Sequence, residues 1–189
     1  EVHIGFYIHA SEDSRCVLDG FTVINAYTAV DYDDGAIICS GASPTIRNCV
    51  VTQSHGNGFR VRSNAYPHVV DCQSYYNSDD GFDIGSDFWP LAGGLISGCL
   101  SYKNGYNGFT VHALDSCRIV NCTAVANQHH GIELFGDLPK QDRSFGAPTD
   151  IVNSIAAYNR IGGIVRSNFF HTYSIYYCDS YGNGMWNYS

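Results

Sequence analysis

Basic residues are scarce in this chain. Its 189 residues include 10 Lys and Arg against 18 Asp and Glu, a formal net charge of −8 at pH 7. The few basic residues form no cluster that could neutralise a row of phosphates, so we expect no nucleic-acid partner. No apolar run approaches the roughly 20 residues that a membrane-spanning helix needs, so we expect no membrane span. The cysteines form no C-x-x-C pair, which argues against a zinc site built from them.

A sustained helical period is also missing, and a repeat stands in its place. A glycine-led motif recurs as GAII, GFRV, GFDI, GFTV, GIEL and GIVR, starting at Gly35, Gly58, Gly81, Gly108, Gly131 and Gly163. Nine positions before each glycine lies a small residue: Ala26, Cys49, Cys72, Cys99, Cys122 and Ser154. The steps along that column are 23, 23, 27, 23 and 32 residues. A unit of 23 residues with two insertions is typical of a solenoid.

The local pattern predicts the type of solenoid. Apolar and polar residues alternate around each glycine, as in Phe82-Asp83-Ile84, and a period of two indicates strands. About three short strands per repeat, with turn-forming residues at the corners, predict an all-β parallel β-helix of about six to seven coils over residues 1–189. A column four positions before each glycine predicts a ladder of stacked polar side chains: Asp31, Ser54, Asn77, Asn104, Asn127 and Asn159.

Three sequence features resemble a known group. LDGFTVINA (Leu18–Ala26), SPTIRNC (Ser43–Cys49) and the repeated N-x-x-x-G-F are similar to the right-handed β-helix repeats of secreted polysaccharide-active and surface proteins. The resemblance covers nearly the whole chain and implies a secreted or cell-surface protein, but it implies architecture rather than activity. The sequence shows no helical cap at either end. This favours a segment of a longer protein or a subunit that stacks end to end.

The cysteine positions favour free thiols. Cys49, Cys72, Cys99 and Cys122 share one inward column, where a thiol behaves as a small apolar group. Cys16 and Cys39 each lie ten residues before a position of that column, which leaves a disulfide between them open. The sequence also leaves the state of Cys117 open.

Two triplets match the N-glycosylation sequon. They are Asn121-Cys122-Thr123 and Asn187-Tyr188-Ser189. Asn121 precedes an inward cysteine, so alternation predicts that its side chain points outward.

Candidate functional residues lie on the outward positions of the glycine-led strands. Two residues after each glycine stand Ile37, Arg60, Asp83, Thr110, Glu133 and Val165, and four residues after stand Cys39, Arg62, Gly85, His112, Phe135 and Ser167. One insertion follows Gly85 and contains Phe88 and Trp89, and the other runs from Gly136 to about Asp150. Long loops on a rigid scaffold commonly carry function. We therefore predict a groove in which Phe88, Trp89 and Thr110 contact a sugar.

The segment Asn77-Ser78-Asp79-Asp80-Gly81-Phe82-Asp83 is the sharpest local signal. Asp79, Asp80 and Asp83 bring three carboxylates together, and like charges this close need a counter-charge. Calcium, with its preference for oxygen ligands, would supply one. The alternative is that Asp79 and Asp80 cap a turn while Arg60 pairs with Asp83.

The same heptad resembles the calcium site of the family-nine pectate lyases. The resemblance implies that Asp79, Asp80 and Asp83 are calcium ligands. The acidic ligand that the family takes from the preceding coil is missing, although Asn57 could offer an amide oxygen. The family's catalytic lysine is also replaced, because the matching position here is Thr110.

A uronate lyase needs a base, so the missing lysine requires a substitute. The candidates are Arg60, Arg62 and His112, with Lys103 farther away, and neutral imidazole is the best suited of these near pH 7. A hydrolase would instead use Asp83 and Glu133, whose backbones lie two coils apart, about 9.6 Å, a separation that suits inversion.

Two functions therefore follow from the sequence. The leading hypothesis is an extracellular protein that binds an acidic polysaccharide at this calcium site, and the missing lysine leaves open whether it also cleaves the polymer by calcium-assisted β-elimination. The alternative is a structural or adhesive β-helix that stacks end to end into a fibre.

Overall fold

The computed structural model shows a right-handed parallel β-helix, as predicted. It describes residues 3–27, 35–85, 92–112, 116–135, 149–167 and 173–188. Within these ranges every regular element is a strand. No helix in the described part of the chain is long and apolar enough to cross a membrane.

Each coil contributes one strand to each of three parallel sheets. The first, called the site sheet below, has eight strands in the order β1 (Phe6–Ile8), β4 (Gly35–Ser40), β7 (Asn57–Arg62), β10 (Phe82–Ile84), β13 (Phe109–His112), β16 (His130–Phe135), β19 (Gly162–Ser167) and β22 (Trp186–Tyr188). The second has seven: β2 (Val17–Asp19), β5 (Thr45–Arg47), β8 (His68–Val70), β11 (Gly94–Ser97), β14 (Cys117–Val120), β17 (Thr149–Val152) and β20 (Tyr173–Tyr176). The third also has seven: β3 (Thr22–Ile24), β6 (Val50–Thr52), β9 (Gln73–Tyr75), β12 (Leu100–Tyr102), β15 (Thr123–Val125), β18 (Ile155–Ala157) and β21 (Asp179–Tyr181).

Stacked side chains fill the interior. Phe59, Phe82 and Phe109 occupy the same row of the site sheet, and their rings stack with centroids 4.6 and 4.8 Å apart. Ile132 and Ile164 continue that row, and all five side chains are buried. Because equivalent side chains are in direct contact, an aromatic residue in one coil favours an aromatic residue at the same position of the next coil.

A ladder of asparagine amides supports the corner between the third sheet and the site sheet, as predicted. The side chains of Asn77, Asn104, Asn127 and Asn159 each donate from Nδ2 to the Oδ1 of the next member at 3.0–3.1 Å, and Asn183 extends the ladder by one coil. Each Oδ1 also accepts the backbone N–H of the preceding coil, as from Asn77 N to Asn104 Oδ1 at 3.1 Å. These bonds satisfy buried polar groups that would otherwise be costly.

The first coil departs from the predicted alignment. Ile24 pairs with Thr52, so Ala26 is equivalent to Ser54 and not to Cys49. Gly35 pairs with Asn57 and not with Gly58, so the sequence alignment placed this coil in the wrong register. Between these two aligned pairs, the first coil has more residues at its corner than the next coil has. Asp31 lies in that stretch, outside the described residues.

Two outward assignments are wrong as a consequence. Ile37 pairs with Phe59 and Cys39 pairs with Val61, so both side chains belong to the core, where each is 1 % exposed. Ile38 takes the outward position beside Arg60 instead. A shift of one residue moves every side chain of a strand to its other face.

All eight cysteines are free. Cys49, Cys72, Cys99 and Cys122 are buried, and each thiol lies within hydrogen-bonding distance of a backbone carbonyl oxygen, as Cys72 does with that of Val70. Cys39 lies in β4, whereas Cys16 directly precedes β2 in another sheet, so the two are not equivalent positions.

Removing one member of the asparagine ladder should destabilise the protein. In Asn104→Ala the buried N–H of Asn77 and the carbonyl of Ser74 lose their side-chain partners. We expect the free energy of unfolding to fall by about 2–4 kcal/mol, measured by urea denaturation. Gln128→Ala removes an exposed amide at the same corner in the next coil and is the control. Equal stability of the two variants would contradict the structural role of the ladder.

Candidate functional site

Four polar side chains form a row on the outward face of the site sheet. Register places Arg60, Asp83, Thr110 and Glu133 side by side in successive coils. They are only 4–7 % exposed, although they point away from the core. The same row holds Ile38 at one end and Val165 at the other. The fold therefore accepts apolar residues here, and burying charge at these positions needs a reason other than folding.

Asp83 is the best-connected member of this row. Its Oδ2 lies 2.5 Å from Nη1 of Arg60, and its Oδ1 lies 3.1 Å from Nε2 of His112. Burial by itself would raise the pKa of Asp83, but the cationic partners outweigh it and hold that pKa below its ordinary value. Asp83 is therefore ionised at neutral pH, and it can hold the imidazole of His112 in one orientation.

A second, outer ladder runs along the corner beside the row. Asn57, Asp80 and Asn107 each accept, through a side-chain oxygen, the backbone N–H of the equivalent residue in the next coil, at 3.1, 2.7 and 2.9 Å. His130 ends the series. Asp80 thus occupies a position where its neighbours are asparagines.

The environment of Asp80 is opposite to that of Asp83. Burial, followed by the negative charge of Asp83, raises the pKa of Asp80 well above its ordinary value. The hydroxyl of Thr110 partly opposes this shift through its hydrogen bond to the carboxyl group. The pKa values of the two carboxyl groups, three residues apart, are therefore shifted in opposite directions, a pattern that separates acid from base in active sites.

Asn107 connects the ladder to the row. Its Nδ2 donates to Oγ1 of Thr110 at 2.9 Å and to Oε2 of Glu133 at 2.7 Å. The other oxygen of Glu133 accepts a short hydrogen bond from the hydroxyl of Ser167. The carboxylate of Glu133 is therefore fixed in position by neighbours from two other coils.

The position of the His112 side chain requires a glycine, Gly85, in the preceding coil. Gly85 has a φ of +101°, and a Cβ there would lie 2.8 Å from Cβ of His112. Only glycine combines that backbone conformation with such a close approach. On its other side, His112 meets the ring of Phe135 edge-on, with centroids 5.6 Å apart.

Two of the predicted calcium ligands, Asp83 and Asn57, have side-chain oxygens that already contact other groups of the protein. Both oxygens of Asp83 face cationic or amide partners, since Asn57 Nδ2 also approaches Oδ2 at 3.3 Å. The amide oxygen of Asn57 accepts the N–H of Asp80. Arg60 supplies the counter-charge that the sequence analysis assigned to calcium. Asp79 is half-buried, and burial, with Asp83 nearby, raises its pKa. Calcium binding stays a prediction.

The remaining candidates are spread over the molecule. Arg62 lies half-buried in β7, in the second outward row, two strands from His112. Lys103 is exposed and follows β12 of the third sheet, away from the row. Phe88 and Trp89 lie outside the described residues.

Both sequon asparagines are exposed. The side chain of Asn121 points outward, as predicted, and its Oδ1 accepts a bond from Asn153 at 2.8 Å. Oδ1 of Asn187 accepts a bond from Nδ2 of Asn183 at 3.2 Å. Their glycosylation stays a prediction.

Sequence reasoning missed Asn107 as a member of the site, whereas it placed Ser167 correctly on an outward position. Asn107 could have been found, because the ladder residues always stand three positions before the residues of the row. His130 follows the same rule. It is 7 % exposed, its Nδ1 is buried without a hydrogen-bond partner, and burial lowers its pKa despite the opposing charge of Glu133.

Comparison with known proteins supports the architecture. Residues 5–184 match the family described as the right handed beta helix region. The chain belongs to this right-handed β-helix family. No curated protein sequence matches it significantly.

Two solved structures are similar in fold. A rhamnogalacturonan lyase superposes with a TM-score of 0.66 and 20% identity, over 85% of this chain and 48% of the lyase. The A-module of the Azotobacter vinelandii mannuronan C-5 epimerase AlgE4 superposes with a TM-score of 0.62 and 15% identity, over 98% of this chain and 58% of the epimerase. The chain thus spans about half the length of the structures it matches.

Replacing Asp80 by asparagine should change how stability depends on pH. The folded state holds the Asp80 proton more tightly than the unfolded state does, so the wild type loses stability as pH rises from the unfolded pKa through the folded pKa. The substituted amide would keep an oxygen acceptor for Asn107 N and carry no charge. We therefore expect Asp80→Asn to be more stable than the wild type at neutral and alkaline pH, with the gap closing in acid.

Denaturant unfolding at a series of pH values measures this difference. Asp71→Asn is the matched control, because Asp71 is exposed and the equivalent corner positions include Asn48 and Asn121. A loss of stability in Asp80→Asn that is the same at every pH would contradict a protonated Asp80.

Proposed function

We propose that this protein acts on a polysaccharide along the outward face of the site sheet. The observation that carries the proposal is the buried row of Arg60, Asp83 and Glu133, at positions where the fold itself accepts Ile38 and Val165, with the half-buried His112 in contact with Asp83. Such groups are costly to bury. Functional sites commonly contain charges of this kind, held in place by hydrogen bonds.

The similar structures support the class of ligand. The rhamnogalacturonan lyase and the mannuronan C-5 epimerase both bear names of uronate-containing polymers. Elimination and C-5 epimerisation both begin with removal of the ring proton next to a carboxylate. We therefore propose an acidic polysaccharide as the substrate and an extracellular place of action.

The chemistry we propose is β-elimination by this chain's own acid and base. Asp83 holds the resting imidazole of His112 through Nε2, while Nδ1 is buried, so the ring must turn toward the substrate to take the ring proton beside the substrate carboxylate. The neutral carboxyl of Asp80 donates a proton to the leaving glycosidic oxygen. Arg60 keeps Asp83 ionised and so serves as a positioning residue. Arg62 supplies positive charge toward the substrate carboxylate.

A structural role is the second candidate. The strands β1 and β22 are the edges of the site sheet within the described residues, and β22 is exposed over its three residues. Exposed strand edges can pair with another copy, which would produce a fibre. Negative-stain microscopy tests this candidate. Filaments would support it, and a monomer at all concentrations in light scattering would contradict it.

Two assays on polygalacturonate and alginate test the enzymatic proposal. Elimination raises both ultraviolet absorbance, from unsaturated uronate ends, and the number of reducing ends, whereas hydrolysis raises only the latter. We expect both signals from the wild type and none from Asp80→Asn. Flat traces with every acidic polymer would contradict cleavage. Reducing ends alone would instead favour hydrolysis by the carboxyl groups.

The same assays test the base and the metal. We expect His112→Asn to lower the rate about 10²–10⁴-fold, while His68→Asn, at an exposed histidine of the second sheet, leaves it unchanged. Because Arg60 already neutralises Asp83, we expect activity to survive a chelator. A rate that falls with chelator and returns with calcium would instead support the calcium site predicted from the sequence.

A further inference from the structure

A cluster of aromatic side chains and one lysine lies on the third sheet, apart from the row. Tyr75 and Tyr102 are partners in the register of this sheet, and their rings stack with centroids 4.6 Å apart. Tyr76 meets both rings edge-on, at 5.7 and 6.2 Å. The Nζ of Lys103 donates to the hydroxyl of Tyr76 at 3.0 Å and lies 5.3 Å from the centre of its ring. These four residues are called the tyrosine platform below.

The backbone at Tyr76 shows that the platform is not a requirement of the fold. Tyr76 has a φ of +55°, a left-handed conformation that is unfavourable for a bulky side chain. Equivalent residues of other coils have nearly the same φ and include Asn25, Gln53 and Ala126. A tyrosine at this corner is 51 % exposed, so it gains little from burial. The fold therefore does not require a tyrosine at this position, although Tyr158 is a second tyrosine at an equivalent corner.

The charge of the platform is unusual for this molecule. Lys103 has no carboxylate partner within the described residues, where its contacts are with the platform tyrosines. By contrast, Arg15, Arg47 and Arg118 all face an aspartate. In a chain with a net charge of −8, this uncompensated cation makes the platform a favourable place for an anion.

The shape of the platform suits a ligand with flat apolar faces. Tyr76 is exposed, whereas Tyr102 and its register partner Val125 are each half-buried. An exposed aromatic face can stack on the apolar face of a sugar ring while the hydroxyl group stays in water. A protein partner would need about 800 Å² of contact surface, far more than four side chains offer.

We propose that the tyrosine platform is a second, non-catalytic binding site for an anionic polysaccharide. Tyr76 and Tyr102 supply the stacking surface, and Lys103 pairs with a carboxylate or sulfate of the polymer. The site shares with the proposed function only the class of ligand. It lies around the asparagine corner from the row, so a chain bound there would stay close to the acid and base groups.

Affinity electrophoresis and calorimetry with polygalacturonate and alginate test the platform. Tyr76→Asn and Lys103→Gln introduce residues that occur at equivalent corners, Asn25 and Gln53, so both variants should fold like the wild type by circular dichroism. We expect each to weaken polymer binding at least about tenfold. Tyr177→Asn is the matched control, because Tyr177 is an 89 % exposed tyrosine with a φ of +54° at another corner.

The outcomes separate the platform from the proposed enzyme. Loss of binding in Tyr76→Asn and Lys103→Gln, with binding kept in Asp80→Asn and Tyr177→Asn, would support the platform even if no polymer were cleaved. Wild-type affinity in both platform variants would overturn it, as would wild-type protein that binds no acidic polymer. Equal binding to a neutral galactan would overturn the anionic assignment. Cleavage of short oligosaccharides should be unchanged in both platform variants.

Discussion

Parallel stacking of equivalent residues is the constraint on which this molecule depends. Each strand pairs in register with its counterpart one coil away, at the strand spacing of about 4.8 Å. A side chain is therefore surrounded above and below by its own counterparts. Phenylalanine rings can stack in this arrangement, and amides can donate to and accept from one another indefinitely. Carboxylates cannot, because each would repel the next.

The candidate site shows how the chain avoids stacking carboxylates on one another. No two carboxylates are adjacent in the outward row. Asp83 lies between Arg60 and the uncharged Thr110, and Glu133 lies beyond Thr110. Asp80 interrupts a series of asparagines, and its Oδ1 accepts the backbone N–H of Asn107 as an asparagine oxygen would. The pKa values of the two aspartates, three residues apart, are shifted in opposite directions. This follows from the partners that register places beside each of them.

Corners serve a different purpose from strands. The inner asparagine ladder and the outer ladder of Asn57, Asp80 and Asn107 satisfy backbone groups at the bend, and they hold the start of the site sheet rigidly. Rigid support is what a binding or catalytic group needs from its neighbours. The corner residues with left-handed backbone conformation that follow the strands of the third sheet do not have this supporting role. This corner accommodates Asn25, Gln53, Tyr76 and Lys103 alike, so the backbone conformation does not fix the residue type there.

The repeat in the sequence was sufficient for the architecture. Alternation, the glycine positions and the asparagine column specify strands, corners and their order, because in a solenoid each interaction is between neighbouring repeats. Phe82-Asp83-Ile84 could be assigned inward and outward faces from the sequence alone. The first coil could not, since extra residues at its corner shift Ile37 and Cys39 by one position, and nothing local marks where such an insertion ends.

Only the tertiary structure decided what the outward residues do. The sequence showed three carboxylates and a nearby arginine, and it left calcium and the Arg60–Asp83 pair as alternatives. The contacts of Arg60 and His112 with Asp83, of Asn107 with Glu133, and of Lys103 with Tyr76 depend on side-chain directions across coils. The partners in these contacts lie 23 to 34 positions apart in the sequence. Periodicity predicts which residues are neighbours, whereas hydrogen-bond geometry determines which of them pair.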